Sequence, residues 1–391
     1  MSLWSAWLRG TISTTSSRSS GSCQRNESRW SYSTSGLNQF AKIETPAAGV
    51  SAADSHMKVV EIRDKFGVDS LQLVERPDRV PGPGQVVLKM KAFSINYRDL
   101  LVVNGVGRWK PPLGRVPLSD GVGIVAATGN GVSRVKVGDR VAPIFYPNWL
   151  DGRVAAGKTG QALGGAAADG VLAEYTLLNE ASLVHVPAHL SDEEAATLPC
   201  AGVTAWSALI PFGNITPGNS VVVLGTGGVS IFALQFAKCL GVRVIVTSSS
   251  DQKLARAKEL GAAVGINYKS TTDWPKAVVE LTDGLGADHV VDTVGGLKEA
   301  IAAVRLRGTV AFVGLLMGMT SEVDLVTFMG KCARVEAVDV GSREMFEAMN
   351  KAIKFHAMRP VVDRVFGFSE LREALNYLSE ARHFGKVCLR A

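Results

Sequence analysis

A glycine-rich stretch near the middle of the chain has the residue types and spacing of a phosphate-binding turn. The apolar run Val221-Val-Val-Leu leads into Gly225-Thr-Gly-Gly-Val-Ser and then into an apolar stretch that ends at Leu240. Gly225 permits a tight turn, and Gly227 lets backbone N–H groups approach a pyrophosphate at the positive end of the following helix. Because a second strand-like run follows at the required spacing, the turn predicts a dinucleotide site rather than an ordinary glycine-rich loop. The cofactor residues predicted from these runs are Gly225, Gly227, Gly228, Val229 and, after a later strand-like run, Gly314.

The residues that follow the second strand-like run indicate which cofactor would bind. A site specific for NAD has an Asp or Glu about 20 residues after the first glycine, where it holds the ribose hydroxyls. Residues 247–250 are Thr-Ser-Ser-Ser instead, and their small hydroxyls leave room for a 2′-phosphate. We therefore predict NADP(H), with Ser248, Ser249 and the positive charge of Lys253 beside that phosphate. Two alternatives stay open: Asp251 turns back to the ribose, or Lys253 is only a solvated helix residue.

These residues need a domain in which strands alternate with helices to position them. From residue 188 to 340, strand-like runs are separated by helical stretches, the first of which is 191–210. The strand-like runs are 221–225, 242–248, 289–294 and 309–314, and the later helical stretches are 229–240, 251–260 and 297–306, followed by one around 342–356. Several strands joined by crossover helices predict a doubly wound parallel sheet. Residues 57–187 show short alternating runs broken by turn residues, which predicts an antiparallel β domain. The predicted fold class is α/β, with residues 341–391 as a C-terminal segment.

Length and composition exclude several classes of protein. The chain has 391 residues, enough for two or three domains, and its 46% apolar and 20% charged residues are ordinary for a globular protein. No run approaches the roughly 18 apolar residues of a membrane span, so we predict no membrane segment. Residues 1–41 contribute +3 of the +6 net charge, and the remainder predicts no nucleic-acid partner. The five cysteines include no C-x-x-C pair, which argues against a disulfide framework and a zinc ribbon.

Residues 1–41 have the composition of a mitochondrial transit peptide. They contain twelve Ser, four Thr and four Arg against a single acid, Glu27, and they open with apolar residues at helical spacing. We predict that this segment directs import into the mitochondrial matrix, that it is cleaved around residues 30–36, and that residues 42–56 form a linker. The alternative is an unstructured extension on a cytoplasmic protein.

Several short motifs together resemble the medium-chain dehydrogenase/reductase superfamily, over roughly Met57 to Ala391. Besides the glycine-rich turn they are Asn96-Tyr97-Arg98-Asp99, Ser119-Asp-Gly-Val-Gly123, Val137-Gly-Asp-Arg-Val141, Leu198-Pro-Cys-Ala-Gly-Val-Thr-Ala205 and Phe384-Gly-Lys-Val387. The resemblance implies a GroES-like catalytic domain at 57–187, a Rossmann domain at 188–340 and a C-terminal segment that rejoins the first domain. It also implies an NAD(P)-dependent oxidoreductase that forms a homodimer. The strand-like segment 334–340, with an open edge, is where we expect two subunits to pair, and a capped monomer and a tetramer stay open as alternatives.

The resemblance is to the branch labelled zinc-type alcohol dehydrogenase-like, yet the zinc ligands are missing. Zinc alcohol dehydrogenases of the superfamily bind the catalytic metal through Cys, His and Cys at the positions that match Asn96, Ser119 and Cys200. Only one sulfur remains, whereas a catalytic zinc needs three strong protein donors and an open position. The loop 146–172 has no Cys, so the four-cysteine structural site is missing as well. We predict no metal, and Cys200 is either a small residue of the cofactor wall or a reactive thiol.

The missing metal restricts which substrates we expect. An activated C=C bond or a quinone accepts hydride without a Lewis acid more easily than a saturated ketone does. We therefore predict NADPH-dependent reduction of such a small molecule, as in the zinc-free quinone oxidoreductases and enoyl reductases that the chain resembles. Two alternatives stay open: an NADP(H)-dependent alcohol or aldehyde oxidoreductase, and a regulatory NADPH-binding protein with little turnover.

Four residues receive roles in this reaction. Asn96 would place the carboxamide or substrate oxygen, and Asp99 would hold the loop. Thr204 would line the nicotinamide pocket. Tyr97 is the nearby proton donor or, alternatively, an aromatic residue that packs at a strand–helix junction. Relatives often carry a Tyr two residues after the glycine that follows N-x-x-D, where this chain has Gly107.

Overall fold

The structure is a computed structural model that describes residues 56–391. The predicted transit peptide and linker, residues 1–56, therefore lie outside the described residues, apart from His56. Within the described part of the chain, no helix is long and apolar enough to cross a membrane.

The strands of residues 56–391 form a two-stranded ribbon and two larger sheets, in agreement with the predicted α/β class. In chain order they are β1 His56–Ile62, β2 Leu71–Pro77, β3 Gln85–Ile95, β4 Asp120–Thr128, β5 Arg140–Pro143, β6 Tyr175–Asn179, β7 Leu183–His185, β8 Ser220–Leu224, β9 Arg243–Ser248, β10 Val264–Asn267, β11 Ala287–Asp292, β12 Val304–Phe312, β13 Arg334–Ala337, β14 Val362–Gly367 and β15 Lys386–Arg390. Strands β10 and β13 are short, and β10 lies in a segment for which the sequence analysis predicted no strand.

The seven-stranded sheet contains the predicted antiparallel β region and the end of the chain. Its order is β14-β15-β3-β4-β5-β7, and β6 also pairs with β3. Strand β3 pairs antiparallel with β4, β6 and β15, so it is the centre of this sheet. Ile95, the last residue of β3, lies opposite Val387. This register brings the motif that begins at Asn96 next to the motif that ends at Val387, although 290 residues separate Asn96 from Lys386.

The six-stranded sheet is parallel throughout and has the order β10-β9-β8-β11-β12-β13. The chain proceeds from β8 outward to β10, and it then crosses to the other side of β8 with β11. In such a sheet the crevice at the carboxyl ends of the strands, where the order reverses, is where ligands bind. The glycine-rich turn follows β8 directly, so the topology places it at this crevice.

Helices connect the parallel strands and cover both sheets. In chain order they are α1 Tyr97–Val103, α2 Ala156–Thr159, α3 Asp192–Ala196, α4 Val203–Leu209, α5 Gly228–Cys239, α6 Asp251–Leu260, α7 Trp274–Leu281, α8 Leu297–Ala303, α9 Leu325–Lys331, α10 Arg343–Phe355 and α11 Leu371–Ser379. Sequence analysis predicted α5, α6 and α10 to within one residue at each end and did not predict α7.

The predicted helical stretch 191–210 is interrupted in the structure. A wider π turn, Leu198–Gly202, separates α3 from α4 and carries Pro199 at its start. Proline has no N–H to donate and clashes with the preceding turn, so a regular α-helix does not continue through it. Turns of this kind are frequent at functional sites, and this one contains Cys200.

One buried apolar cluster joins the two sheets. It includes Ala92 and Val122 from the seven-stranded sheet, and Val221 and Val223 from the parallel sheet. Helix α5 packs between them and contributes Phe232, which is almost fully buried. This shared core holds the two sheets together.

Candidate active site and cofactor cleft

A deep cleft of about 1090 Å³ lies between the two sheets. One wall is formed by the glycine-rich turn and the ends of β8, β9 and β12, and the other by the start of α1 and the residues around Phe145. Of the site residues predicted from the sequence, all but Asp99 line this cleft: Asn96, Tyr97, Thr204, Gly225, Gly227, Gly228, Val229, Ser248, Ser249, Lys253 and Gly314.

The glycine-rich turn has the geometry that a diphosphate requires. Gly225 has a φ of +78°, which side-chain-bearing residues rarely adopt. Gly227 is the N-cap of α5, and no side chain there accepts from the first-turn N–H groups. These groups are therefore available to an anion at the positive end of a twelve-residue helix. The donor set fits the pyrophosphate of a nicotinamide dinucleotide.

On the opposite side of this turn, the backbone at Gly314 lies very close to the backbone at Thr293. A Cβ at Gly314 would lie 1.7 Å from the carbonyl oxygen of Thr293, so only glycine fits between β11 and β12 at their carboxyl ends. Thr293 in turn donates to the carbonyl of Leu224 at 2.6 Å. Gly314 therefore keeps the crevice beside the turn narrow, and it lines the cleft.

The adenosine end of the cleft carries hydroxyls and positive charge. Ser248, Ser249 and Lys253 line it, whereas Asp251 does not. The Asp251 carboxylate accepts a hydrogen bond from the Asn267 side chain at 2.9 Å. Lys253 does not project freely, because its ammonium donates to the carbonyl of Ala381 at 2.7 Å.

A histidine that sequence analysis did not single out also faces this end. His383 lines the cleft with a buried Nδ1 that has no hydrogen-bond partner among residues 56–391. Burial lowers its pKa to about 4, and the charges of Lys253 and Lys386 add to that effect. The imidazole is therefore neutral at physiological pH.

The motif at residues 96–99 forms the start of α1. The Asp99 carboxylate accepts from the backbone N–H of Asn96 at 2.8 Å and from Arg98 Nη1 at 3.1 Å. Asp99 is fully buried, and this burial raises its pKa, an effect that Arg98 opposes. These contacts tie Asp99 to the start of α1, and Asp99 is not among the residues that line the cleft. Arg98 also donates to the carbonyl of Leu163 and lies over the ring of Phe145.

The three positions that match zinc ligands lie around a second buried carboxylate, that of Asp120. Ser119 donates to one of its oxygens at 2.6 Å, and the backbone N–H of Cys200 donates to the other at 3.1 Å. Burial raises the pKa of Asp120 to about 6, although the Lys386 charge and the Ser119 hydrogen bond oppose this. Burial also raises the pKa of the Cys200 thiol, so it is not a thiolate nucleophile. In the described part of the chain, no three His, Cys, Asp or Glu side chains gather as metal ligands.

Lys386 is the main site residue that sequence analysis did not assign. It begins β15, is 3% exposed, and donates from Nζ to Asn96 Oδ1 at 2.5 Å and to the carbonyl of Ile95 at 2.7 Å. A positive charge therefore lies beside the positions that match the zinc ligands. A lysine at the start of the C-terminal strand, directly before the apolar residues 387–389, was the available signal.

Two tyrosines line the cleft in different environments. Tyr97 is 43% exposed, so its hydroxyl is accessible to solvent and substrate. Tyr146 is buried, and its hydroxyl donates to the Asp339 carboxylate. Burial and this carboxylate raise the pKa of Tyr146 above its usual range. Thr204 lies nearby and donates to the carbonyl of Asp339 at 3.3 Å.

Comparisons with known proteins agree with this arrangement. The family model described as zinc-binding dehydrogenase matches residues 228–355, and the model described as alcohol dehydrogenase GroES-like domain matches residues 82–188. A zinc-type alcohol dehydrogenase-like protein of Schizosaccharomyces pombe is 44% identical over 319 residues, which are 79% of this chain and 91% of that protein.

Solved structures have the same fold. An NAD-dependent alcohol dehydrogenase is 35% identical, with a TM-score of 0.78 over 86% of this chain and 100% of that one. A mycobacterial protein complexed with NADPH is 26% identical, with a TM-score of 0.70 over 86% of this chain and 100% of that one. The predicted GroES-like and Rossmann architecture is thereby confirmed. The chain belongs to the medium-chain dehydrogenase/reductase superfamily, as an alcohol dehydrogenase-like, NAD(P)-dependent oxidoreductase of the zinc-type branch.

Proposed function

We propose that the protein is a zinc-independent, NADPH-dependent oxidoreductase that transfers hydride to an activated C=C bond or a quinone. The observation that carries the proposal is the set of groups at the positions matching the zinc ligands: an amide, a hydroxyl and a thiol, with the Lys386 ammonium 2.5 Å from the amide oxygen. Amide and hydroxyl oxygens are weak zinc ligands, and a fixed ammonium repels a divalent cation. This wall favours a substrate that needs hydrogen-bond donors instead of a Lewis acid.

Bound NADPH would supply the hydride, and the residues of this chain would manage the negative charge that develops on the substrate. In an enone or a quinone that charge spreads onto an oxygen, where positioned donors stabilise it. Asn96, which lines the cleft beside the buried carboxylate of Asp120, would offer its amide N–H as such a donor. Arg98 and Lys386 add positive charge to the same wall.

The reaction also needs a proton for the resulting enolate or hydroquinone anion. Tyr97 fits this role better than Tyr146, because the Tyr146 hydroxyl already donates to Asp339. Tyr97 lines the cleft next to Asn96 and is open to solvent, from which its proton can be replaced. We therefore propose Tyr97 as the proton donor, with Asp99 holding the loop and Thr204 beside the nicotinamide.

NADPH is proposed over NADH because of the adenosine end of the cleft. Ser248 and Ser249 place hydroxyls there, and Lys253 and the neutral His383 line the same space. No carboxylate among the residues that line this end of the cleft would repel a 2′-phosphate, since Asp251 is hydrogen-bonded to Asn267 outside it. Phosphate oxygens accept strongly from such donors.

A substrate panel combined with metal analysis tests the proposal. The purified chain should oxidise NADPH faster with enones and quinones than with saturated aldehydes or ketones, and it should keep this activity after dialysis against a strong chelator. Elemental analysis should give well under one zinc per chain. Stoichiometric zinc whose removal abolishes turnover would overturn the proposal. Preferential alcohol oxidation would favour an alcohol dehydrogenase, and tight NADPH binding without turnover would favour a regulatory protein.

We also propose that the protein is a homodimer that pairs through β13. Strand β13 ends the six-stranded sheet, so one of its edges has no partner strand among residues 56–391. Exposed apolar side chains lie close to it in sequence: Leu316, Met317, Met319, Leu325, Val326 and Met329. Light scattering should give twice the chain mass, and the double substitution Val326→Glu with Met329→Glu should shift the protein toward the monomer. A monomeric wild type at micromolar concentration would reject the pairing.

Mitochondrial import remains a proposal from composition, since residues 1–41 lie outside the described residues. N-terminal sequencing of the native protein should find a start around residues 30–36. A start at Met1 would argue for the cytoplasmic alternative.

A further inference from the structure

The short turn that follows α1 carries an arginine to which the proposed function gives no role. Residues Gly107–Trp109 form one 3₁₀ turn, and Arg108 is exposed on it and lines the cleft. The N–H of Val106 donates to the carbonyl of Leu101 at 2.9 Å, and the N–H of Trp109 donates to the carbonyl of Val106 at 3.0 Å. These hydrogen bonds fix the turn to the end of α1, so Arg108 is held where the cleft meets solvent.

The side chain of Arg108 is placed by the residue that follows it. Its Cζ lies 4.6 Å from the centroid of the Trp109 ring, in a cation–π contact. A guanidinium stacked on a ring keeps the N–H groups at its edge free to donate. No side chain among residues 56–391 pairs with Arg108 in an ion pair or a hydrogen bond. Its N–H groups are therefore available to an acceptor that enters the cleft.

The charged groups near Arg108 are already engaged with one another. Arg98 lines the same wall, and its guanidinium donates to the carboxylate of Asp99 and to a backbone carbonyl. The carboxylate of Asp339 accepts from the hydroxyl of Tyr146. Burial and this carboxylate raise the pKa of Tyr146, and the positive charges of Arg98 and Arg108 oppose the rise. Both arginines therefore make this part of the cleft more favourable to negative charge.

The other carboxylate that lines the cleft belongs to the opposite wall. Glu299 lies in α8, and a Cβ on Gly296 would be 3.6 Å from its Oε2. It therefore lies at the start of α8, beside the parallel sheet, whereas Arg108 lies in the turn after α1.

Rings and small residues leave room beside Arg108. A Cβ on Gly107, where relatives often carry a tyrosine, would have no atom of the described residues within 4 Å. Trp109 and Tyr97 line this part of the cleft, together with Gly160 and Ala162 from the loop after α2. The space has apolar surface for a ring or a chain, and the Arg108 guanidinium supplies one positive charge.

We propose that Arg108 binds a carboxylate of the substrate, so that the substrate is an enone or quinone with a carboxylate on a side chain away from the reacting bond. A planar carboxylate accepts two parallel N–H bonds from a guanidinium. One guanidinium balances one negative charge, which favours a carboxylate over a phosphate monoester with nearly two. The reacting group rests on the proposed function, and the binding of the carboxylate does not.

A competing role for Arg108 is to bind a phosphate of the cofactor. The glycine-rich turn and Lys253 form the cofactor wall, and Arg108 belongs to the other wall. The two roles predict different losses. Removal of a phosphate ligand would weaken NADPH binding. Removal of a carboxylate ligand would leave NADPH binding nearly unchanged and would affect only substrates that carry the carboxylate.

A matched pair of substrates separates these roles: a benzoquinone with a pentanoic acid side chain, and its methyl ester. The wild type should reduce the acid with a kcat/KM at least about tenfold above that of the ester. Arg108→Met should lower kcat/KM for the acid by roughly 30-fold, and for the ester by at most about threefold, because the ester has no negative charge. NADPH affinity, measured by nicotinamide fluorescence, should change by less than about threefold.

Lys110→Met is the matched control for Arg108→Met. Lys110 carries the other positive charge of this turn, lies over the ring of Phe66 and does not line the cleft. This control should keep the wild-type preference for the acid. Equal losses for acid and ester in Arg108→Met, or an NADPH affinity that falls by tenfold or more, would overturn the inference.

A binding measurement keeps the inference separate from the proposed function, because it needs no turnover. Calorimetry on the NADPH complex would compare benzenepentanoate with its methyl ester, neither of which has a quinone to reduce. The acid should bind at least about tenfold more tightly to the wild type and to Lys110→Met, and no more tightly than the ester to Arg108→Met. If the wild type reduces neither quinone, the proposed function fails and this pair still decides. Equal affinities of acid and ester for the wild type would refute the inference whatever the turnover.

Discussion

The two walls of the cleft bind their ligands with different parts of the chain. The cofactor wall uses mainly the backbone: a left-handed Gly225, the N–H groups at the start of α5, and a backbone approach at Gly314 that leaves no room for a Cβ. The substrate wall uses buried side chains, with Lys386 hydrogen-bonded to Asn96 close to the carboxylate of Asp120.

Because of this difference, the two walls should tolerate substitutions and changes of pH differently. A backbone site depends on conformation, so a single added methyl group can disrupt it. In a wall of buried charged groups, each charge is stabilised by an opposite charge or a hydrogen bond. The stability of such a wall therefore changes with pH and falls when one partner is removed. The predictions below separate the two walls on these grounds.

The largest effect is expected from a methyl group on the cofactor wall. In Gly314→Ala the new Cβ would lie 1.7 Å from the carbonyl oxygen of Thr293, so the ends of β11 and β12 must move apart. We expect a loss of at least about 3 kcal/mol in the free energy of unfolding, measured with denaturant, and weaker NADPH binding.

Gly330→Ala is the matched control for that substitution. Gly330 lies in α9, and nothing among the described residues comes within 4 Å of the Cβ that alanine would add. The control should be neutral or more stable by up to about 1 kcal/mol. Equal stability of the two variants would contradict the close-approach argument.

On the substrate wall, the buried Asp120 should make stability depend on pH. Its pKa rises from 3.8 to about 6 on folding, so between these values the native state keeps a proton that the unfolded state has lost. Stability therefore falls as pH rises from about 4 to 6, and Asp120→Asn removes this fall. From pH 4 to pH 7 the variant should gain about 2.4 kcal/mol relative to wild type in the free energy of unfolding.

Asp139 provides a control of opposite sign for this pH experiment. The backbone N–H of Lys136 and the side chain of His185 lower its pKa. Asp139→Asn should therefore lose stability relative to wild type as pH rises through the ordinary range of a carboxyl group. A constant difference between Asp120→Asn and wild type across this range would show that Asp120 is ionised in the folded protein.

Removal of a single hydrogen-bond donor from the substrate wall should lower turnover and leave the affinity for NADPH nearly unchanged. Asn96→Ala should lower kcat by roughly 10²-fold, because it deletes the donor to the developing oxyanion, while NADPH affinity stays within about twofold. Asn104→Ala, an exposed asparagine at the other end of α1, is the control and should retain wild-type turnover. An Asn96→Ala variant with normal kcat would remove Asn96 from the mechanism.

The smallest effect is expected at the adenosine end of the cofactor wall. Lys253→Ala should weaken NADPH by about tenfold more than NADH, because only NADPH carries the 2′-phosphate. Lys258→Ala, on the same helix and away from this cleft, should weaken neither cofactor. Equal losses for both cofactors in Lys253→Ala would leave the lysine without a role in phosphate recognition.

Sequence analysis identified the two walls with unequal success. The glycine-rich turn, the start of α5 and the serines at the end of β9 are close together in the chain, and all line the cleft. The helical stretch 191–210 was predicted as continuous, whereas the structure interrupts it at a π turn around Cys200. Helical periodicity is similar on both sides of Pro199, so the interruption left only a weak signal.

The sequence by itself determined the features that depend on neighbouring residues. A strand that enters a tight glycine turn and then an apolar helix needs only local backbone conformations, and these are written in consecutive residues. The absence of zinc-ligand residue types at positions 96 and 119 is readable in the same way. Only the tertiary structure decided that Lys386 takes the oxygen of Asn96, because the contact depends on β15 pairing with β3 across 290 residues. The energy and protonation of a buried charged group depend on the hydrogen bonds and opposite charges around it, and those groups come together only when the chain folds.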